Sequence, residues 1–148
     1  MLSWSKHIKK QGKTLATLNG SFDLMHAGHL YIIYEASKLA DCLLVALNSD
    51  ASIRSYKSPD RPIIPLESRL QMMSALQFVD NVTWFDEDDP RDLLEIIKPN
   101  VHVNDDEYGQ DCLEADVVRK HGGRIHVVSK VEGFSTTTIL TKVKSLCV

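Results

Sequence analysis

The sequence predicts a doubly wound α/β domain, with five parallel strands between two layers of helices. Three observations carry this expectation. Short apolar runs alternate with helix-length periodic segments five times along the chain, as successive βα units do. The run Cys42 to Leu47, CLLVAL, is apolar at every position instead of every second one, which marks a strand covered on both faces. A chain of 148 residues, 43% hydrophobic and 25% charged, has the size and composition of one ordinary globular domain. Residues 1–148 are therefore expected to form one unit, with 1–12 as a lead-in segment or short helix.

Thr14 to Asn19 reads as the first strand, closed by the turn signal Asn19-Gly20. Gly12-Lys13-Thr14 just before it has the ending of a phosphate-binding P-loop. That motif needs a glycine where His7 stands and follows a strand instead of preceding one, so it is rejected. Ala27 to Ala40 is expected to be helical, with Leu30, Ile33, Tyr34 and Ala40 at helical spacing and Asp41 at the exit. The second strand, Cys42 to Leu47, ends at Asn48-Ser49-Asp50. Strand, helix and strand with a crossover of this length imply a parallel pair joined right-handedly.

Asp50 to Tyr56 reads as a short helix capped by Ser49 or Asp50, and Lys57 to Pro65 as a loop set by three prolines. Leu66 to Val79 is an amphipathic helix, with Leu66, Leu70, Met73, Leu76 and Val79 near one face and its Met pair as core filler. Val82 to Phe85 is the third strand. The acid-rich Asp86 to Asp89 would suit a hard cation. Asp89 followed by Pro90 is the stronger sign of a helix start, because acidic residues complement the first turn. That helix stops at Lys98-Pro99, and Val101 to Val103 is the fourth strand. Cys112 to His121 reads as a helix ended by Gly122-Gly123, and Arg124 to Val128 as the fifth strand. An apolar-periodic helix then runs from Gly133-Phe134-Ser135-Thr136-Thr137-Thr138 to the C-terminus.

Bulk properties exclude several classes. A net charge of −3 with no basic stripe gives no footprint for nucleic acid. The three cysteines Cys42, Cys112 and Cys147 are far apart and lack metal-ligand spacing, which argues against a disulfide framework or zinc site. No stretch has the length of a membrane span and the N-terminus has no apolar signal core, so a cytoplasmic protein without membrane partners is expected. The glycosylation pattern Asn81-Val82-Thr83 then has no meaning.

Chemistry concentrates in Gly20 to Leu30, GSFDLMHAGHL. His26 and His29 flank Gly28 at the start of the predicted helix, three residues apart and hence neighbours on one face. A turn glycine after a strand, a carboxylate at Asp23, a glycine that admits a close neighbour and free N–H groups at a helix start together suit phosphates. In a doubly wound sheet, ligands bind beyond the carboxyl ends of the strands, so the loops after strands one, two, four and five are where partners of this motif are sought.

This string resembles the His-x-Gly-His signature of the nucleotidyltransferases, which include cytidylyltransferases and the adenylyltransferases of ADP-heptose synthesis. The similarity to the latter extends from about Thr17 to Lys144 through Asn19-Gly20, Leu47-Asn48-Ser49-Asp50, Arg61-Pro62 and Ser135-Thr136-Thr137. It implies a Rossmann-like fold of the nucleotidylyl transferase type. It also implies transfer of a nucleoside monophosphate from ATP, or from CTP, to a sugar phosphate such as heptose 1-phosphate or to a polyol phosphate. Mg²⁺ would be carried on the triphosphate, with no dedicated metal site in the protein. The implied catalytic residues are His26, His29, Lys57 and Arg61. Asn19, Gly20, Ser21, Phe22, Asp23, Gly28, Asn48 and Arg69 would bind the nucleotide, with Ser135, Thr136 and Thr137 on its β and γ phosphates. Asn104, Asp105 and Tyr108 would face the acceptor or the base. Many such relatives are fused to a sugar kinase domain, which these 148 residues lack, and relatives often pair as homodimers.

Two departures from the pattern stand out. Relatives usually carry Lys-Gly-Gly-Asp-Tyr after the fourth strand, where this chain has Asn104-Asp105-Asp106-Glu107-Tyr108. Glycerol-3-phosphate cytidylyltransferases, the second choice, usually place an arginine just beyond the Ser-Thr-Thr segment, where Ile139, Leu140 and Thr141 stand. A nucleotide-binding sensor without turnover is a third reading.

Overall fold

The structure, a computed structural model, describes residues 2–147. Five strands form one parallel sheet: β1 (Leu15–Gly20), β2 (Cys42–Asn48), β3 (Asn81–Phe85), β4 (Val101–Asp105) and β5 (Arg124–Val128). Their order is β3-β2-β1-β4-β5. The chain winds outward from β1 to β3, then returns to the other side of β1, so the switch point lies between β1 and β4. Seven helices connect and cover the strands: α1 (Leu2–Lys10), α2 (Ala27–Ser37), α3 (Asp50–Tyr56), α4 (Leu66–Ser74), α5 (Arg91–Ile97), α6 (Ala115–Lys120) and α7 (Thr136–Leu146).

Every residue of β2 is buried, and its two-residue period divides the layers. Leu43, Val45 and Leu47 join Ile33 of α2 and Met73 of α4 on one face, whereas Cys42, Leu44 and Ala46 join Leu93 and Ile97 of α5 on the other. The lead-in is a helix that belongs to the second layer, where Ile8 is buried and Lys9 Nζ donates to the carbonyls of Ile97 and Lys98 at the exit of α5. A cation at a helix C-terminus satisfies carbonyls that the helix leaves unpaired.

Several boundaries differ from the periodicity. The helix expected over 27–40 ends at Ser37, and Asp41 accepts hydrogen bonds from the Thr14 backbone N–H and hydroxyl, tying β1 to the approach of β2. The helix expected over 66–79 ends at Ser74. Leu76, Phe78 and Val79 still reach the core, but from turns that lead into β3. Helix α6 starts at Ala115 instead of Cys112, and β4 runs on to Asp105. Asp89 accepts from the Arg91 backbone N–H, with Pro90 as the boundary residue of α5. Ser49 caps α3 through the Ser52 N–H.

Candidate active site

The turn after β1 is held by Asp23. Its side chain is fully buried and accepts from Arg61 Nε at 2.7 Å and from the backbone N–H groups of Ile63 and Ile64, each at 2.9 Å. Burial works to raise its pKa, but the bonds from Ile63, Ile64 and Arg61 outweigh it and keep the carboxyl below its ordinary range. On either side Phe22 and Leu24 adopt positive φ, 47° and 49°, which is unfavourable for bulky residues and persists only where surroundings fix it. Asp23 provides that fixation. It is a positioning residue, and it does not line the cleft.

Beyond this turn His26 caps α2. Its Nδ1 accepts from the N–H groups of Gly28 and His29, at 3.1 and 3.4 Å. The helix start therefore does not offer two of its free N–H groups to a ligand, contrary to expectation; the cap consumes them. Because Nδ1 is an acceptor here, a neutral His26 carries its proton on Nε2. The His29 ring stacks on it with centroids 3.8 Å apart, and Phe22 meets His29 edge-on. Burial, then the nearby His26 and Lys57, push His29 down to about 4, and burial lowers His26 as well. Both rings are thus neutral hydrogen-bond donors near pH 7. A Cβ on Gly28 would lie 3.0 Å from the His26 ring and from Phe134 Cβ, so a side chain here would press both neighbours aside by a few tenths of an ångström.

A cleft of about 510 Å³ opens at the carboxyl ends of the strands. Asn19, Gly20, Ser21 and Phe22 after β1 line it with both imidazoles and Gly28. Asn48 and Lys57 enter from the β2 side, and Lys57 Nζ donates to Ser21 Oγ at 3.0 Å. Burial, then Arg61, lower the Lys57 pKa. Asn104, Asp105 and Tyr108 close the β4 side, and Ser135 and Thr136 the β5 side. Ser135 caps α7 through the Thr138 N–H, and Thr136 Oγ1 donates to the Asp23 carbonyl at 2.9 Å. The opening motif and the hydroxyl segment therefore share one cavity.

Three other residues with expected roles stand apart, Arg69 and Thr137 expected on the nucleotide and Arg61 expected in catalysis. Arg69 is buried and faces inward: its guanidinium donates to the carbonyls of Ile64, Ser21 and Asn48 and to Asp50 Oδ1 at 2.6 Å. It staples the ends of β1 and β2 to the proline loop instead of reaching a phosphate, because its donors are taken by the protein. Arg61 lies behind the site, paired with Asp23, with its Nη2 buried and unpartnered. Thr137 is exposed and off the cleft wall. Residues not singled out from sequence also line the cavity, among them Tyr56, Glu107, Glu114, Lys130 and Phe134. Phe134, stacked 6.4 Å from His26, had a signal in its place between a turn glycine and the hydroxyl run. Glu114 and Lys130 had none.

Among the described residues no three His, Cys, Asp or Glu side chains converge as a metal cage, and Asp23 is already committed. No helix of the described residues is long and apolar enough to cross a membrane.

A parallel sheet that gathers neutral imidazoles, a lysine and capped hydroxyls at its switch point defines a nucleotide-handling α/β domain. The sequence profile described as Cytidylyltransferase-like matches residues 17–145, and the chain belongs to this family of nucleotidyltransferases. It is 43% identical over 136 residues to the bifunctional protein HldE of Geobacter sulfurreducens, covering 91% of this chain and 28% of that protein. Its identity to HldE of Syntrophotalea carbinolica is 39%, with the same shares. The chain thus spans 28% of the length of these curated relatives. The lipopolysaccharide core biosynthesis protein of Thermoplasma volcanium GSS1 has a TM-score of 0.65 at 28% identity, covering 81% of this chain and 98% of that one. Pantoate-beta-alanine ligase from Francisella tularensis, complexed with beta-gamma ATP and beta-alanine, has a TM-score of 0.58 at 14% identity, covering 99% and 76%. That second likeness is one of fold.

Proposed function

We propose that this domain moves AMP from ATP to a sugar phosphate such as heptose 1-phosphate and releases pyrophosphate. An acceptor phosphate oxygen forms a bond to the α-phosphorus as the bond to the β-phosphate bridging oxygen breaks, and that electron pair leaves with pyrophosphate. No protein nucleophile is required, because the acceptor is already ionised. The work left to the chain is positioning and neutralising charge on the α-phosphoryl and leaving oxygens. His26 donates from Nε2, His29 donates beside it, and Lys57 adds a mobile positive charge. Ser135 and the start of α7 receive the distal phosphates. Thr136, Asp23, Arg61 and Arg69 hold these groups in register from behind. Mg²⁺, carried on the triphosphate, supplies further charge neutralisation.

The observation that carries this reading is the neutral, stacked His26 and His29 pair in one cleft with Lys57 and the α7 cap. The HldE relatives favour a heptose phosphate as acceptor. Incubating the purified chain with ATP or CTP and with heptose 1-phosphate or glycerol 3-phosphate, while measuring pyrophosphate release, tests it. Release with ATP and heptose 1-phosphate alone is expected. Release only with CTP and glycerol 3-phosphate would reassign both substrates, and tight triphosphate binding with no release under any pairing would make the chain a sensor.

A further inference from the structure

The β4 wall of the cleft holds polar groups that the transfer chemistry leaves without a task. Glu114, at the boundary of α6, is 7% exposed and Asn104, near the end of β4, is 6% exposed, yet both line the cleft. Glu114 Oε2 and Asn104 Nδ2 have no nitrogen or oxygen hydrogen-bond partner, and the polar group beside both is the Cys112 thiol, a weak donor and a weak acceptor. One strand over, Asn19 Oδ1 is orphaned too. Leu18 lies beside Val103 in the parallel ladder, which makes Asn19 and Asn104 neighbours at the strand ends. Buried polar groups are ordinarily paired, so three orphans on one wall mark a place where a ligand supplies the partners.

The chemistry of the wall restricts that ligand. Asp105, Glu107 and Glu114 face the cavity here, and Lys130 is the nearby cation, already paired with Asp105 and Glu107. A phosphate would be repelled by these carboxylates and drawn instead to Lys57 and the imidazole donors. The Cys112 thiol in the same segment is pushed up by burial, then by Glu114, so it stays protonated, adds no charge, and offers Glu114 and Asn104 only a weak bond that a hydroxyl can replace. What fits is a neutral group rich in hydrogen-bond donors. Glu114 Oε2 and Asn19 Oδ1 accept only, whereas Asn104 Nδ2 donates only. A sugar hydroxyl does both, and two adjacent hydroxyls satisfy all three atoms.

We infer that Glu114, with Asn104 and Asn19, grips vicinal hydroxyls of a sugar and so sets substrate specificity. The inference rests on the proposed nucleotide site, and the hydroxyls belong either to the ribose of the triphosphate or to the acceptor ring. Calorimetric titration of the wild-type chain and of Glu114→Gln tests it, using ATP, 2′-deoxy-ATP and 3′-deoxy-ATP, and heptose 1-phosphate beside its 2-deoxy form. Gln keeps the volume but presents an amide in place of a carboxylate oxygen. Wild type is expected to favour the hydroxylated member of one set by about tenfold or more, and Glu114→Gln to lose that preference while binding the deoxy member as before. Loss within the nucleotide set assigns the hydroxyls to ribose, and loss within the sugar set to the acceptor. A Glu114→Gln protein with wild-type melting temperature that keeps the preference, or that weakens both members equally, overturns the inference. Failure of the wild type to bind any triphosphate overturns the nucleotide site itself, and this inference with it.

Discussion

One ring nitrogen of His26 is committed to its own helix, and that local bond determines what the residue can offer a substrate. A neutral imidazole that accepts at Nδ1 donates at Nε2, so His26 is at once a cap and a donor. His29 has no such internal partner, and its Nδ1 is buried and unpaired. His29→Ala is expected to lower turnover about 10²-fold to 10³-fold, the usual loss for one oxyanion-type donor; near-normal turnover in a purified, folded mutant would refute the role. Since His29 titrates at about 4 and His26 below its ordinary value, turnover is expected to stay level as pH rises from about 6.5 to 8. A decline across that interval would show that an imidazolium is needed. His102 makes a separate prediction. It is fully buried in β4, paired with Thr17 Oγ1 at 2.8 Å, and burial pushes it down to about 4. Between about 4 and 6.5 the unfolded chain binds more protons than the folded one at His102 and His29. Their contribution is therefore complete above 6.5 and is lost as pH falls through about 4. Melting temperature should drop over that window, and His102→Gln, which can still pair with Thr17 but cannot titrate, should flatten the slope. A wild-type melting temperature independent of pH there would contradict this.

Elements in this domain are positioned by a few polar ties between loops as much as by apolar packing. Helix α7 has no buried residue among those described, and the Thr136 bond to the Asp23 carbonyl joins it to the histidine turn. Arg69 performs the same service for α4, joining the proline loop to the ends of β1 and β2. Arg69→Ala should destabilise the fold by roughly 3–5 kcal/mol, because it strands Asp50 and buried carbonyls. Arg69→Lys should recover little of this, since an ammonium cannot reproduce the guanidinium fork. Denaturant unfolding measures both, and wild-type stability in Arg69→Ala would remove the staple from the account. The sequence showed Arg69 in the first turn of a helix but could not show which way it faced. Leu66 to Val79 likewise kept its helical spacing past the point where the chain turns, because periodicity reports which residues meet the core and not whether they reach it by helix or by turn. The cap of α3 was legible to within two residues, Ser49 or Asp50, because capping is settled within three residues.

At the level of the entire domain, the strand order places the loops of β1 and β4 on opposite sides of one crevice. The result is a cavity that gathers the imidazoles and Lys57 with carboxylates from the loops after β3 and β4. A metal that arrives with the triphosphate predicts that EDTA leaves the melting temperature of the ligand-free chain unchanged and abolishes pyrophosphate release in the presence of ATP. A fall in melting temperature on chelation alone would point to a resident ion instead. Read from its amino-acid order, the chain revealed the strand and helix alternation, the doubly covered β2, the histidine motif and the hydroxyl run, because each is written within a few neighbouring residues. Folding settled the rest. It turned Asp23, Arg61 and Arg69 inward, set Glu114 on the cleft wall, and brought Thr136 to a carbonyl 113 residues away, since contacts at such separations depend on how layers pack and leave no local pattern to read.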